Sequence, residues 1–546
     1  MNRITRISIV GLLIASLACA TAFSVTGRTK AVDELTIAAD FAEAVSLVET
    51  YYADSINYEE ITKMAILGML HTLDPHSSYY DRREFTRFRI EQTSQYFGIG
   101  ATIGARNGKV FILAPFADTP AYRAGLRYGD QIVAIDGEST ETWSSTQVSS
   151  RLRGPRGTPV EVRVQRAGEA TPRTFKLTRD AVPLPSISGA YFVRPGIGYI
   201  NFQLRGFNTT TDEEMNKALK RLESGGLKAL IIDMRSNPGG LLDQAVKMAE
   251  KFLFKGQLIL TQKSRSNKRE STKRYESQNP NPLLLPLVVI VNGGTASAAE
   301  IVTAAIQEHD RGMVVGEPTF GKALVQTVLP LSFGAGLTLT TAKYLTPSGR
   351  SIQRAYTNLS FYDYYFKNRS DGPNGSSTVP TGPAFRTDAG RTVYGEGGIT
   401  PDVAVPATQL TEAQSRLQGA IFAFTRELVA GLIPGLESYR VSSLTLDHTL
   451  GEKEYRISDQ VLQAFTKFAT SRKDEFRLSP GLIESNKEFI RTFIRYEVVT
   501  AAYGLETAAQ ALNDTDIQLL KAIEVMPKAA ELANTYRTRA NRATAK

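Results

Sequence analysis

The sequence predicts a multidomain α/β protein whose main sheet is rich in parallel strands. Three observations carry this. Short β-branched apolar runs alternate with helical stretches between Lys228 and Val315, as crossover helices on a parallel sheet require. A unit of short strands and glycine-rich turns precedes them, and helical periodicity fills both ends of the chain. At 546 residues there is room for about three or four domains, and 42% hydrophobic content is ordinary for globular protein. The net charge of +9 is modest at this length, and no basic motif interleaved with aromatics accompanies it, so no nucleic-acid partner is expected.

Residues 1–27 place Arg3 and Arg6 ahead of an apolar run from Ile7 to Phe23, which gives way to polar Thr26, Gly27 and Arg28. That is the pattern of a secretory signal peptide, with Ala18-Cys19-Ala20 as the cleavage site, or of an uncleaved membrane anchor. Either reading puts the protein in the periplasm or another extracytoplasmic space. Cys19 is the only cysteine, so the chain beyond it holds no disulfide.

Residues 28–95 read as helical: Phe41, Val45, Val48 and Tyr51, then Ile61, Met64, Ala65 and Met69, recur at helical spacing. Leu73-Asp74-Pro75-His76 follows these two helices, and a turn explains His76 without catalysis. In residues 96–182, Phe97-Gly98-Ile99-Gly100 and the long stretch from Thr119 to Gly137 resemble the carboxylate-binding loop and the helix-turn-strand of PDZ domains. The resemblance implies that the loop's amides hold a peptide's terminal carboxylate while an open strand edge accepts the peptide. A β-domain whose glycines serve only turns is the plain alternative.

Residues 183–405 hold the alternating strands and helices. Strands are expected at 196–202, 228–235, 287–291 and 313–315, and helices at 211–223, 241–252 and 296–307. Asp233 and Arg235 read as a structural ion pair, and the basic run from Thr261 to Asn281 as a solvated hairpin or loop. Ser297 falls where a strand passes into a helix, a point at which free amides and the helix dipole favour an oxyanion. A serine needs a base. Of the four histidines only His309 is near in sequence, and it lies roughly 18 Å further along the helix axis. Lys322 can serve if it is neutral; at an unperturbed pKa only about one lysine in 2,500 is neutral at pH 7, so an apolar, desolvating site is required. An extended run from Lys322 would put Leu324 and Gln326 on its face, with Gln326 supporting the amine.

The paired motifs Asn292-Gly293-Gly294-Thr295-Ala296-Ser297-Ala298-Ala299-Glu300 and Val315 through Gln326 resemble the active-site signature of the C-terminal processing peptidases, Ser/Lys serine proteases with a PDZ domain. The match runs from about Leu73 to Val405, with Ala299 departing from the serine common there. It implies a crotonase-like α/β protease core, Ser297 as nucleophile, Lys322 as general base, Gln326 as its support, and an oxyanion hole formed by Ala298 with Gly239 or Gly240. It implies no metal and no cofactor. The expected partners are protein or peptide substrates with accessible C-termini.

Residues 406–546 read as helices without a catalytic constellation, an appendage for homodimerisation or for shaping the substrate entrance. An enzyme that cleaves peptide bonds is the reading favoured over a catalytically silent PDZ scaffold, because a scaffold has no use for both Ser297 and Lys322.

Overall fold

The computed structural model describes residues 28–92, 95–266, 269–357, 359, 362–367 and 382–544. The chain divides into two compact units, Met1–Thr72 and Leu73–Lys546. The expected signal or anchor segment lies outside the described residues. The first unit contains the two expected helices, Arg28–Tyr51 and Tyr58–His71, the second capped by the Asn57 side chain accepting from the Glu59 amide at 3.1 Å.

The second unit is built on a six-stranded sheet in the order Gly189–Arg194, Ile197–Asn201, Ala229–Asp233, Leu287–Val291, Met313–Gly316, Val403–Ala404. The first pair is antiparallel and all later pairs are parallel. The apolar runs do not alternate with polar residues because both faces are covered. Leu230, Ile232, Leu287, Val289 and Val291 face the crossover helices Thr211–Ser224, Leu242–Glu250 and Ala298–Glu308. Ala229, Ile231, Val288 and Ile290 face Leu519, Ala522, Met526 and Ala529, which belong to helices Ile517–Glu524 and Met526–Thr544. The end of the chain is thus not an appendage: its last two helices form a layer of the sheet's core.

A second, antiparallel sheet lies beside it. Gly336–Leu345 pairs with Ser78–Tyr80, Leu324–Pro330 and Leu258–Ser266, and Arg269–Glu276 completes the expected basic hairpin. Ser78–Tyr80 is a strand that three residues give no periodicity to announce.

Between residues 95 and 183 a six-stranded antiparallel sheet and helices Pro120–Ala124 and Ser145–Leu152 enclose a core of Ile112, Ile132, Val148, Val162 and Val164. Phe111, Leu113 and Tyr128 join a separate cluster with helices Glu412–Val429, Asp459–Ser471 and Lys487–Ala509. That bundle and this domain are therefore packed together.

Candidate active site

Two turns at the ends of neighbouring parallel strands build the site. Asn292 begins one of them; its side-chain oxygen accepts from the amides of Gly294 in its own turn (3.0 Å) and Ser236 in the other (2.7 Å). The Thr295 hydroxyl donates to the Met234 carbonyl at 2.8 Å, and the Ala296 amide to the Asn237 carbonyl at 2.9 Å. The chain then reaches Ser297, whose φ of 54° and ψ of −118° are strained for a residue with a side chain. A sharp strand-to-helix turn of this kind is the backbone geometry of a nucleophile elbow, and Ser297 lines a cavity. Gly239 permits the approach: a β-carbon there, at φ 92°, would sit 2.8 Å from both the Ser297 β-carbon and the Ala298 nitrogen. The Gly239 amide donates to the Asn237 side chain at 2.9 Å, whereas those of Gly240 and Ala298 donate to no described residue.

Ser297 and Lys322 line one cavity of about 670 Å³ together with Ala298, Gly239, Gly240 and Gln326. Their backbones are tied by two side chains. The Tyr344 hydroxyl points at both carbonyls, 2.8 Å from that of Lys322 and 3.2 Å from that of Ser297. Glu300, fully buried, accepts from the amides of Ser297 (2.8 Å), Gly321 (2.7 Å) and Lys322 (2.9 Å) and from the Thr319 hydroxyl. Burial pushes the Glu300 carboxyl up to about 7 against the pull of those four donors. Sequence reasoning passed over this residue, although a Glu three positions after a helix-starting Ser is a recognisable pattern and a charge inside an Ala-rich helix calls for a reason.

Burial holds the Lys322 ammonium below the ordinary lysine range and outweighs the opposing charges of Glu300 and Asp74. The amine makes no ion pair or hydrogen bond with a described residue. Gln326 does not hold it. Lys322 precedes the strand, and a register shift between Val325 and Gln326 breaks the alternation expected from Lys322 onward; the Gln326 amide donates instead to the Thr340 hydroxyl at 3.1 Å.

His76 sits on the expected turn and also lines the cavity. Its Nε2 and Nδ1 pair with the hydroxyls of Tyr364 (2.9 Å) and Tyr365 (3.0 Å), and Phe320, two residues before Lys322, meets its ring edge-on. Burial, and then the nearby Lys322 charge, push His76 down to about 3, so the ring is neutral. The turn beneath it is held by Asp74, which accepts from the amides of His76 and Ser77 at 2.8 Å. His309 is remote as expected, bonded to Asp388 and the Leu258 carbonyl. Asp233 and Arg235 form the expected structural pair, extended to Asp516.

In the loop predicted to bind a carboxylate, Phe97 and Gly98 pair with Ala181 and Asp180. The amides of Ile99 and Gly100 donate to no described residue, while the Ile99 side chain lies in the domain's own core and not in a groove.

Comparison with known proteins shows which family the chain resembles. A model described as peptidase family S41 matches residues 196–358, and one for the PDZ domain matches residues 111–166. A carboxy-terminal-processing protease of Bartonella bacilliformis is 36% identical over 320 residues, 58% of this chain and 72% of that protein. The carboxy-terminal processing protease CtpA of Bacillus subtilis is 31% identical over 361 residues, 65% of this chain and 76% of that protein. Among solved structures, the photosystem II D1 C-terminal processing protease is 28% identical, covering 66% of this chain and 86% of its own, with a TM-score of 0.35. The chain belongs to the S41 carboxy-terminal processing peptidases. It is a serine-type peptidase with a PDZ domain.

Proposed function

We propose that this protein is an extracytoplasmic endopeptidase that captures substrate C-termini in its PDZ domain and cuts peptide bonds with a Ser297/Lys322 dyad. The observation that carries the reading is the shared cavity of an elbow serine and a half-buried lysine whose amine has no partner among the described residues. A neutral Lys322 takes the proton of the Ser297 hydroxyl as its oxygen attacks the scissile carbonyl. The tetrahedral oxyanion is stabilised by the amide of Ala298 and by a glycine amide of the 239–240 turn; Gly240 is the glycine whose amide is uncommitted. Collapse expels the amine, which takes the proton back from Lys322. Water deprotonated by the same lysine then hydrolyses the acyl-enzyme. Export rests on the apolar segment from Ile7 to Phe23.

Digestion of unfolded casein tests the dyad. Ser297→Ala is expected to be inactive, and Lys322→Ala to lose at least about 10²-fold in rate, the lower end of what a general base supplies. Undiminished digestion by Lys322→Ala would remove the lysine from the mechanism. Capture through the PDZ domain predicts that deleting residues 96–182 abolishes any response of the rate to added C-terminal peptides.

A further inference from the structure

A second cavity, of about 300 Å³, lies between the PDZ domain and the C-terminal helical bundle and shares no lining residue with the Ser297 cavity. Four arginines converge on it: Arg127 and Arg166 from the PDZ domain, Arg426 and Arg440 from the helical region. Of the residues that line the cavity only two are acidic, and both are engaged. Asp130 accepts a two-pronged bond from Arg166, Nε to Oδ1 at 2.8 Å and Nη2 to Oδ2 at 2.7 Å, and Glu169 pairs with Arg173. Arg426 is directed at main-chain oxygens, 2.6 Å from that of Gly129 and 2.7 Å from that of Gln165. Its stem lies so close to Gly129 that a β-carbon there would sit 2.9 Å from it. The guanidinium groups of Arg127 and Arg440 make no ion pair or hydrogen bond with a described residue. Both of these side chains are exposed to solvent, where an anion can reach them.

Planar guanidinium groups around a confined space are suited to an oxyanion, which each can grip with two parallel N–H bonds. We propose that this cavity binds a small multivalent oxyanion, phosphate- or carboxylate-bearing, that bridges Arg127 of the PDZ domain and Arg440 of the helical bundle. Ser442 and Ser443 also line the wall. Such a ligand would fasten the peptide-binding domain to the bundle and make its seating depend on anion concentration.

Calorimetric titration of the full-length protein with pyrophosphate, and separately with citrate, at constant ionic strength maintained with sodium chloride, tests this. One saturable site per chain is expected for at least one of them, and which one binds tells a phosphate ligand from a carboxylate ligand. In Arg127→Gln/Arg440→Gln the dissociation constant should rise at least tenfold, while casein digestion and the unfolding temperature without added anion stay at wild-type values, since neither side chain holds another residue. Absence of saturable binding by both anions, or equal affinity in wild type and double variant, overturns the proposal.

Discussion

Lys322 can act as a base only if its site keeps the amine dry, and His76 is part of that wall. Because the ammonium form cannot accept a proton, kcat/KM should rise with pH through the folded-state pKa of Lys322, with a midpoint below the ordinary lysine value. Two substitutions should move this limb in opposite directions. His76→Ala admits water beside the amine, favours the charged form and shifts the limb to higher pH. Glu300→Gln removes the negative charge that favours the ammonium and shifts it to lower pH. The Gln variant also meets a donor problem: a carboxamide has one accepting oxygen where four donors converge. A stability loss of about 1–3 kcal/mol is expected in urea titration. A pH profile of kcat/KM for the three proteins checks both signs.

At the scale of elements, the helix Ala298–Glu308 positions Ser297 at one end and is moored at the other. Glu308 and Arg350 are both fully buried, with Nε to Oε1 at 2.6 Å; Arg350 also donates to the Gln307 side chain at 3.1 Å and to the Tyr394 carbonyl. Removing one partner leaves a buried charge uncompensated, so Arg350→Ala should cost about 3–5 kcal/mol in equilibrium denaturation, with loss of casein digestion as the helix shifts. The helix itself was legible from Ala-rich periodicity, and its N-terminal serine from the strand and turn before it. Its mooring was not, since Glu308 and Arg350 are far apart in sequence and lie in segments whose local patterns do not refer to each other.

For the whole molecule, the last two helices cover one face of the central sheet. Leu519 is 1% exposed and belongs to the apolar cluster that covers one face of the strands leading into both active-site turns. Leu519→Asp, or truncation before Ile517, should therefore expose that face and leave the protein in the pellet after lysis, whereas a dispensable appendage would leave it soluble and active. Centrifugation and casein digestion decide between them. The sequence indicated helices here but not what they cover, because a hydrophobic stripe states that a face is buried and not against which partner.

By itself the sequence determined the parallel-rich α/β core, the serine at a strand-to-helix turn and the lysine after the glycine turn, since each is written in neighbouring residues or in a period of two or 3.6, and it pointed to the PDZ unit by resemblance. Only the tertiary structure decided that Glu300 ties the two loops, that His76 enters the site, that Gln326 turns to Thr340, and that the C-terminal helices belong to the core. Those arrangements depend on which distant surfaces exclude water together, and on one bulge that shifts a strand's register. Hydrogen bonding and burial between remote segments set them, and no local pattern encodes that meeting.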